Sequence, residues 1–216
     1  MEENITFYRD LTPEQRDLMD RTLLRQSYRK GQLVHRHGDS CVGIIYVRTG
    51  RLAFSIISEE GREITLFRAE PGMTCVLSAA CVFRGLTMES SIVTEVPTEV
   101  SVLPAPVLSQ LMQENKDVER LVYKLAVERF STVVQSLERV LFFGLERRLA
   151  LFLREECARR RGPTFAATHE QIARYIGSSR EVVTRALNQL AGRGIVSLGR
   201  GTVTVLDPDT LDDLAE

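Results

Sequence analysis

A run of polar side chains near the C-terminus has the residue types and the spacing to read DNA bases. Arg180, Thr184 and Asn188 recur every four residues, and Glu181 and Arg185 form a second row beside them. Residues four apart lie on one face of a helix. Arginine can donate to guanine, glutamate can accept from the cytosine amino group, and all five side chains can reach a base edge or a phosphate. The spacing therefore predicts a helix that presents a DNA-reading face.

Two helices separated by a tight turn are predicted to position that face. Thr168-x-x-Gln171 and Ser178-x-x-Glu181 are capping boxes, the signature of helix starts, and Gly177 permits the turn between them. Apolar residues then recur at helical spacing on the side that would be buried. We expect helices at about residues 168–175 and 179–191.

A β-hairpin is predicted directly after the second helix. The β-prone runs IVSL and TVTV are joined by Gly199-Arg200-Gly201, a turn sequence. Two short helices followed by such a hairpin form a winged helix-turn-helix. A generic helical hairpin with a solvated charged face is the alternative interpretation.

The charge is distributed unevenly along the chain. The 216 residues carry a net charge of −1, but residues 146–206 contain 11 arginines, no lysine and 5 acidic residues, a net charge of +6. Arginine suits bidentate contacts with guanine and phosphate. A locally basic module beside a neutral one is typical of a regulator that binds DNA with one domain.

The composition is that of an ordinary soluble globular protein, with 44% apolar and 26% charged residues. No apolar run approaches the roughly 18 residues of a membrane-spanning helix, and the N-terminus has no secretion signal. We therefore expect a cytoplasmic protein without a membrane partner.

The rest of the chain divides by texture into helical and β-rich segments. Residues 5–28 carry a helical stripe that includes Leu18 and Leu24, and residues 30–103 alternate in short strands. Glycines at 38, 50, 61 and 72 give the regular turn spacing of an antiparallel sandwich or barrel. Residues 106–161 are predicted to be helical, with a break at Gly144.

Within that helical segment, apolar residues repeat about every 3.5 positions, which is the seam of a two-stranded coiled coil. Flanking apolar residues widen the stripe, as a helix that packs against both a partner and its own domain would require. Packing within a monomer is the alternative. The predicted dimerisation residues are Val122, Ala126, Val133, Leu137 and Val140, with Phe130 or Arg129 at the intervening position.

The segments THEQIARYIG and SSREVVTRAL, followed by the glycine-flanked hairpin, resemble the DNA-binding domain of the Crp/Fnr family of bacterial transcription regulators. The resemblance extends over nearly the whole chain. It implies an α+β fold with a cyclic-nucleotide-binding-like β-roll and N-terminal helix (residues 1–106), a long dimerisation helix (107–143) and a C-terminal winged helix-turn-helix (144–216). The implied function is effector-controlled, sequence-specific DNA binding.

The resemblance also implies partners and contacts. Double-stranded DNA is the expected ligand, bound by a homodimer at a palindrome with half-sites similar to TGTGA, and RNA polymerase is a further expected partner. Arg180 and Arg185 would contact guanine and Glu181 cytosine, with Thr184 on the same face. Phosphate contacts are expected from Thr168, His169 and Ser179.

The effector remains open at the level of the sequence. Cyclic-nucleotide-binding relatives carry Gly-Glu for the ribose and Arg-Ser for the phosphate, but Val76-Leu77 and Met88-Glu89 stand at those positions here. Cyclic AMP is therefore not expected to bind. The family's iron–sulfur arrangement is also missing, because no cysteine precedes Cys41.

Three cysteines are candidate sensors. Cys75 and Cys81 fall where the family keeps its effector pocket, and Cys41 precedes them. They could be redox-active thiols, could ligate a metal, or could be buried core residues. Haem is a further alternative, although His35 and His37 fit ordinary strand positions better.

A β-barrel enzyme is the competing class of protein. A metal-dependent enzyme of that type needs two or three histidines and a carboxylate that converge in the barrel. Only three histidines are present, and His169 belongs to the helix-turn-helix. We therefore predict that the protein is not an enzyme.

Overall fold

The computed structural model describes residues 5, 7–36, 42–58, 63–82 and 91–216, with only the backbone at Leu77, Ala80 and Cys81. The chain forms two compact units. The first comprises Met1–Ile56 and Leu66–Val134, and the second comprises Ile57–Thr65 and Gln135–Glu216. The division between them falls inside one long helix.

The first unit begins with a short helix that has the predicted cap. Helix α1 spans Pro13–Thr22, with Pro13 at its first position and a capping box between Thr12 and Gln15. The predicted helix over residues 5–28 is too long, because the chain becomes extended at Leu23. Leu24–Tyr28 is strand β1, which pairs antiparallel with Thr98–Leu103. Pairing with a strand distant in sequence overrides the local helical pattern.

The predicted β-rich segment is confirmed as two four-stranded antiparallel sheets. Besides β1, the strands of these sheets are β2 (Leu33–His35), β3 (Ile44–Thr49), β4 (Leu52–Ile57), β5 (Glu63–Ala69), β6 (Thr74–Cys75), β7 (Ser91–Thr94) and β8 (Thr98–Leu103). The sheet orders are β1-β8-β3-β6 and β2-β7-β4-β5.

A glycine of the predicted turn pattern lies at the turn between two strands of these sheets. Gly50, between β3 and β4, has a φ of 84°, and a Cβ there would lie 2.3 Å from the Pro97 carbonyl oxygen. A residue with a side chain could not occupy this close approach. Gly38 and Gly61, two of the other three glycines in the predicted turn pattern, lie outside the described residues.

Two helices follow the sheets where one was predicted. Helix α2 spans Ala105–Glu114 and helix α3 spans Lys116–Phe142. Asn115 separates them: its backbone N–H closes α2 on Leu111, and its side-chain oxygen accepts from the N–H groups of Asp117 and Val118 at the start of α3. The long helix therefore begins at Lys116 and not near residue 107.

The second unit is built around a core shared by four helices and a three-stranded sheet. The core includes Leu149, Phe152, Ile172, Leu187 and Val203. The elements are α4 (Leu145–Arg160), β9 (Thr164–Ala166), α5 (His169–Ile176), α6 (Arg180–Gly192), β10 (Val196–Gly199), β11 (Thr202–Val205) and α7 (Pro208–Ala215), with the sheet order β10-β11-β9. The predicted break at Gly144 is confirmed, since Gly144 is the N-cap of α4.

Among the described residues, no helix combines the length and the apolar character needed to cross a membrane.

Arg161 ends α4 in the left-handed region, with a φ of 54°. Every other residue with positive φ in the described part of the chain is a glycine. We expect Arg161→Gly to raise the free energy of unfolding by about 0.5–1 kcal/mol. The left-handed conformation costs a side-chain-bearing residue roughly 1–2 kcal/mol, and the greater freedom of glycine in the unfolded chain offsets part of the gain. Denaturant unfolding of the full chain measures the difference.

Arg160→Gly is the matched control, because Arg160 lies in the last turn of α4. It should lower the free energy of unfolding by about 1 kcal/mol. Destabilisation by both substitutions would contradict a strained C-cap at Arg161.

Candidate nucleic-acid interface

Helices α5 and α6 form the predicted helix-turn-helix. Thr168 caps α5 in a complete capping box with Gln171, as predicted. The cap of α6 differs by one residue from the prediction: Ser179, not Ser178, accepts from the backbone N–H of Val182. Ser178 instead donates its backbone N–H to Ala173 and belongs to the turn. The recognition helix therefore starts at Arg180, which places this residue in its first turn.

The turn between the two helices is fixed from both sides. Gly177 has a φ of 65°, and a Cβ there would lie 3.0 Å from the Val140 side chain. The Arg148 guanidinium donates to the Ile176 carbonyl at 2.6 Å, satisfying the end of α5. A helix end held by both a neighbouring helix and an arginine cannot easily change its angle to α6. Nothing in the local sequence pattern identified Arg148 in this role.

His169 connects the two helices through Thr184. Its Nδ1 lies 2.8 Å from the Thr184 hydroxyl, which itself donates to the Arg180 carbonyl at 2.8 Å. With the hydroxyl hydrogen directed at the Arg180 carbonyl, the Nδ1–H tautomer of His169 donates to Thr184. Thr184 then has one lone pair and its methyl group available to a base.

The outer face of α6 presents the predicted polar residues to solvent. Arg180, Glu181, Arg185 and Asn188 are all exposed. Hydrogen bonds from the backbone at the helix start and from Ser179, with the positive charges of Arg180 and Arg185, lower the pKa of Glu181. Its carboxylate stays ionised near neutral pH, as an acceptor for a cytosine amino group requires.

The positive charge of this unit separates into structural and unengaged arginines. Ion pairs hold Arg139 to Glu155 at 2.7 Å, Arg174 to Glu63 at 3.1 Å and Arg193 to Glu146. By contrast, no ion pair within 4 Å involves Arg180, Arg185 or Arg200 in the part of the chain that the structure describes. Among the arginines without an ion pair, these three lie on α6 and at the wing turn, whereas Arg160 and Arg161 lie at the C-terminal end of α4.

Arg200 is a candidate contact that the sequence pattern did not single out. It lies exposed between β10 and β11, in the turn Gly199-Arg200-Gly201. An open groove of about 480 Å³ separates this wing from the helices. The lining residues are Ala167, Thr168, His169, Glu170, Arg180, Gly199, Gly201 and Thr202. A phosphate backbone in this groove would meet Thr168 and His169 on one side and the wing on the other.

The structure describes the side chains of only some of the candidate sensor cysteines. Cys75 is fully buried in β6, opposite Ile45. Cys41 and the Cys81 side chain lie outside the described residues, so sensing by these thiols stays a prediction. Within the described residues, no group of histidines, cysteines and carboxylates could hold a metal ion. In the second unit, burial and the neighbouring Glu156 carboxylate raise the pKa of the Cys157 thiol, which disfavours its reactive form.

The predicted dimerisation residues fall on two faces of α3. Val122 and Val133 are buried within the protomer, Ala126 and Leu137 are half-buried, and Val140 lies against the Gly177 turn. Because Val122 and Val133 pack inside the protomer, their burial favours a different face of α3 for the dimer contact, and the predicted dimerisation residues stay a prediction.

A different apolar stripe is exposed on α3. Its residues are spaced by four and three in alternation, with half-buried Leu137 on the same line. We call it the exposed α3 stripe, and it consists of Tyr123, Val127, Phe130, Val134 and Leu141. Phe130 and Leu137 belong to both the predicted seam and this stripe. At the other four positions the exposed residue is the one that follows the predicted residue along the helix.

A double-mutant cycle tests the bridge between α5 and α6. We expect His169→Ala and Thr184→Val to show a coupling of about 0.5–1.5 kcal/mol in the free energy of unfolding, because each removes the same hydrogen bond. The control cycle pairs His169→Ala with Thr204→Val on the wing, where Thr204 contacts Thr164. Its effects should add to within about 0.5 kcal/mol. Additivity in both cycles would exclude the bridge.

Two domain families match the chain. The Crp-like helix-turn-helix domain matches residues 147–214, and the cyclic nucleotide-binding domain matches residues 25–115. The first range lies in the second unit, which we call the winged unit, and the second range lies mainly in the first unit, which we call the two-sheet unit.

Individual proteins resemble the chain over its whole length. A crp/fnr-family protein from Eubacterium rectale ATCC 33656 has a solved structure that is 35% identical, with a TM-score of 0.93 and 99% of both chains covered. The Cyclic AMP receptor protein of Thermus thermophilus is 27% identical, with 96% of this chain and 95% of that protein covered. The c-di-GMP responsive global regulator CLP of Xanthomonas campestris shares the fold, with a TM-score of 0.76 at 21% identity, covering 90% of this chain and 98% of that one.

The match at 35% identity over 99% of both chains, together with the two domain matches, decides between a regulator and the β-barrel enzyme. Proteins of this kind are transcription regulators and not enzymes. The chain belongs to the Crp/Fnr family and is a DNA-binding transcription regulator.

Proposed function

We propose that the protein binds a palindromic DNA site as a homodimer and that an effector sensed in its two-sheet unit controls this binding. The observation that carries the proposal is that three exposed arginines without an ion pair, Arg180, Arg185 and Arg200, lie on α6 and the wing. Cations without an internal partner are available to phosphate and guanine, whereas the paired arginines stabilise the unit itself.

The proposed DNA contacts follow from the exposure of the side chains on α6 and from the hydrogen bonds that Thr184 already makes within the protein. Arg180 and Arg185 each donate to a guanine, and Glu181 accepts from a cytosine amino group. Thr184 packs its methyl group against a base. The backbone phosphates are contacted by Thr168, His169, Ser179 and Arg200.

Arg185→Ala tests base reading. We expect it to cost about 1–3 kcal/mol of binding free energy on a palindrome with TGTGA-like half-sites, and to relax the preference at one base position. The loss on random DNA should be much smaller. Fluorescence anisotropy against both DNAs, followed by selection from a randomised half-site, measures the two effects.

Arg200→Ala is the matched control on the same surface. Loss of a phosphate contact should weaken binding to both DNAs alike and should lower the salt dependence by about one counterion. An equal loss on both DNAs for Arg185→Ala would show that Arg185 contacts only the backbone.

The exposed α3 stripe is the proposed dimer interface. Phe130 is 60% exposed and Leu141 is 72% exposed, which is costly for side chains of this size in water. A second copy of the helix, packed in parallel, would cover the stripe along its length. Dimerisation would also set two recognition helices about 34 Å apart, as successive major grooves require.

Phe130→Glu tests this interface. Two carboxylates would face each other at the centre of the seam, so we expect the dimer dissociation constant to rise about 100-fold or more. Sedimentation equilibrium measures the change, and affinity for the full palindrome should fall with it. Gln135→Glu adds the same charge at an exposed position off the stripe and should leave the dimer intact. A dimer unaffected by Phe130→Glu would place the interface elsewhere.

RNA polymerase is the proposed downstream partner, as the family's role in transcription implies.

The relatives do not identify the effector of this protein, because their names cite chemically different signals such as cyclic AMP and c-di-GMP. Met88-Glu89, on which the expectation against cyclic AMP rests, lies outside the described residues. That expectation stays a prediction, and calorimetry with cyclic AMP tests it.

A further inference from the structure

One ring nitrogen of His169 is engaged within the protein and the other is not. Nδ1 lies 2.8 Å from the Thr184 hydroxyl, which directs its own hydrogen to the Arg180 carbonyl. Among the described residues, Nε2 has no hydrogen-bond partner, and it is not sealed from solvent. His169 lines the open groove between the helices and the wing. Its second nitrogen is therefore available to a ligand in that groove.

The tautomer of His169 decides what Nε2 can do. In a neutral imidazole one nitrogen carries the hydrogen and the other carries a lone pair. Since Nδ1 donates to Thr184, Nε2 has the lone pair. The oxygens of a DNA phosphate also present only lone pairs. Neutral His169 therefore cannot form a hydrogen bond from Nε2 to the DNA backbone.

A proton added to Nε2 changes this. Both nitrogens of an imidazolium are donors, so Nδ1 keeps its hydrogen bond to Thr184 while Nε2 can donate to a phosphate oxygen. A hydrogen bond between a cation and an anion is stronger than one between neutral groups. His169 is also the first residue of α5, the end of a helix at which an anion is favoured.

The charged groups around this groove leave the counter-charge to DNA. Of the lining residues, Glu170 on α5 and Arg180 on α6 carry a charge, and Arg200 lies next to the groove in the wing turn. Glu170 pairs with Arg174 at 3.3 Å. No ion pair involves His169 in the part of the chain that the structure describes. A phosphate would therefore be the anionic partner of the protonated ring.

We propose that His169 is a proton-dependent phosphate contact, so that DNA binding takes up a proton at each half-site. The proton passes from solvent to Nε2, no covalent bond of the protein or the DNA breaks, and the resulting N–H donates to the phosphate. This inference rests on the proposed function, because it adds regulation by pH to one of the proposed backbone contacts.

The direction of the pH dependence follows from this contact. A phosphate stabilises the protonated ring, so the DNA-bound protein keeps this proton to a higher pH than the free protein does. The gain in affinity is complete at low pH and is lost as pH rises through the range in which the DNA-bound ring releases its proton. Histidine ordinarily titrates near neutral pH, so we expect affinity for the palindrome to rise about tenfold or more from about pH 8 to about pH 6.

Two measurements on the full-length protein test the proposal. Fluorescence anisotropy at constant ionic strength gives the affinity for the palindrome and for random DNA across this pH range. Calorimetry at about pH 7, in PIPES and in imidazole buffers of different ionisation enthalpy, gives the number of protons taken up. We expect uptake of up to one proton for each protomer. The pH dependence should be the same on random DNA, because a phosphate contact does not depend on sequence.

Three variants assign the proton to one residue. His169→Gln has no group that titrates at this position, so its affinity should not change with pH through this contact and its proton uptake should disappear. His169→Arg carries a permanent charge and should bind tightly even at about pH 8. His35→Gln removes a histidine on β2, in the two-sheet unit, and should keep both the pH dependence and the proton uptake.

The outcomes separate this inference from the proposed function. Affinity of the wild type that does not change with pH would overturn the inference, because Nε2 would then already carry a hydrogen without protonation of the ring. A pH dependence that persists in both His169→Gln and His169→Arg would overturn it as well. Failure to prefer the palindrome over random DNA at any pH would refute the proposed function, while the measurements on random DNA would still decide the role of His169.

Discussion

The structure depends on a long helix that has two apolar faces. One face of α3 is buried within the first unit through Val118 and Val122, and the exposed α3 stripe lies along another. The first unit covers only one of these faces of the 27-residue helix. The other is the face that we propose a partner covers, and the boundary between the two compact units falls on this same helix, between Val134 and Gln135.

The arginines of the winged unit fall into two groups, those that stabilise the unit and those that remain available to DNA. Those that cap or pair, such as Arg148 and Arg193, hold the winged unit in one geometry. Those left unengaged on α6 and the wing turn can then meet DNA without any rearrangement of the unit. A preorganised surface of this kind loses little conformational entropy on binding.

Local chemistry made much of this predictable from sequence. The capping box at Thr168, the turn at Gly177 and the apolar period of α6 place the recognition helix to within one or two residues, because each depends on neighbours in sequence. The strand at Leu24–Tyr28 and the break at Asn115 were missed because distant partners determine them: Thr98–Leu103 pairs with the first, and the Asp10 carbonyl accepts from the Asn115 side chain at 2.9 Å. The predicted seam and the exposed α3 stripe differ at four positions for a similar reason, since a period alone does not say which face of the helix its own domain covers.

The arginine-only composition of the winged unit has a consequence for control. No lysine occurs after Lys124, so the surface that we propose meets DNA offers no lysine amine for acetylation. The positive charge that its arginines carry is therefore not open to that modification. A lysine-specific protease would release residues 125–216 as a single uncut fragment.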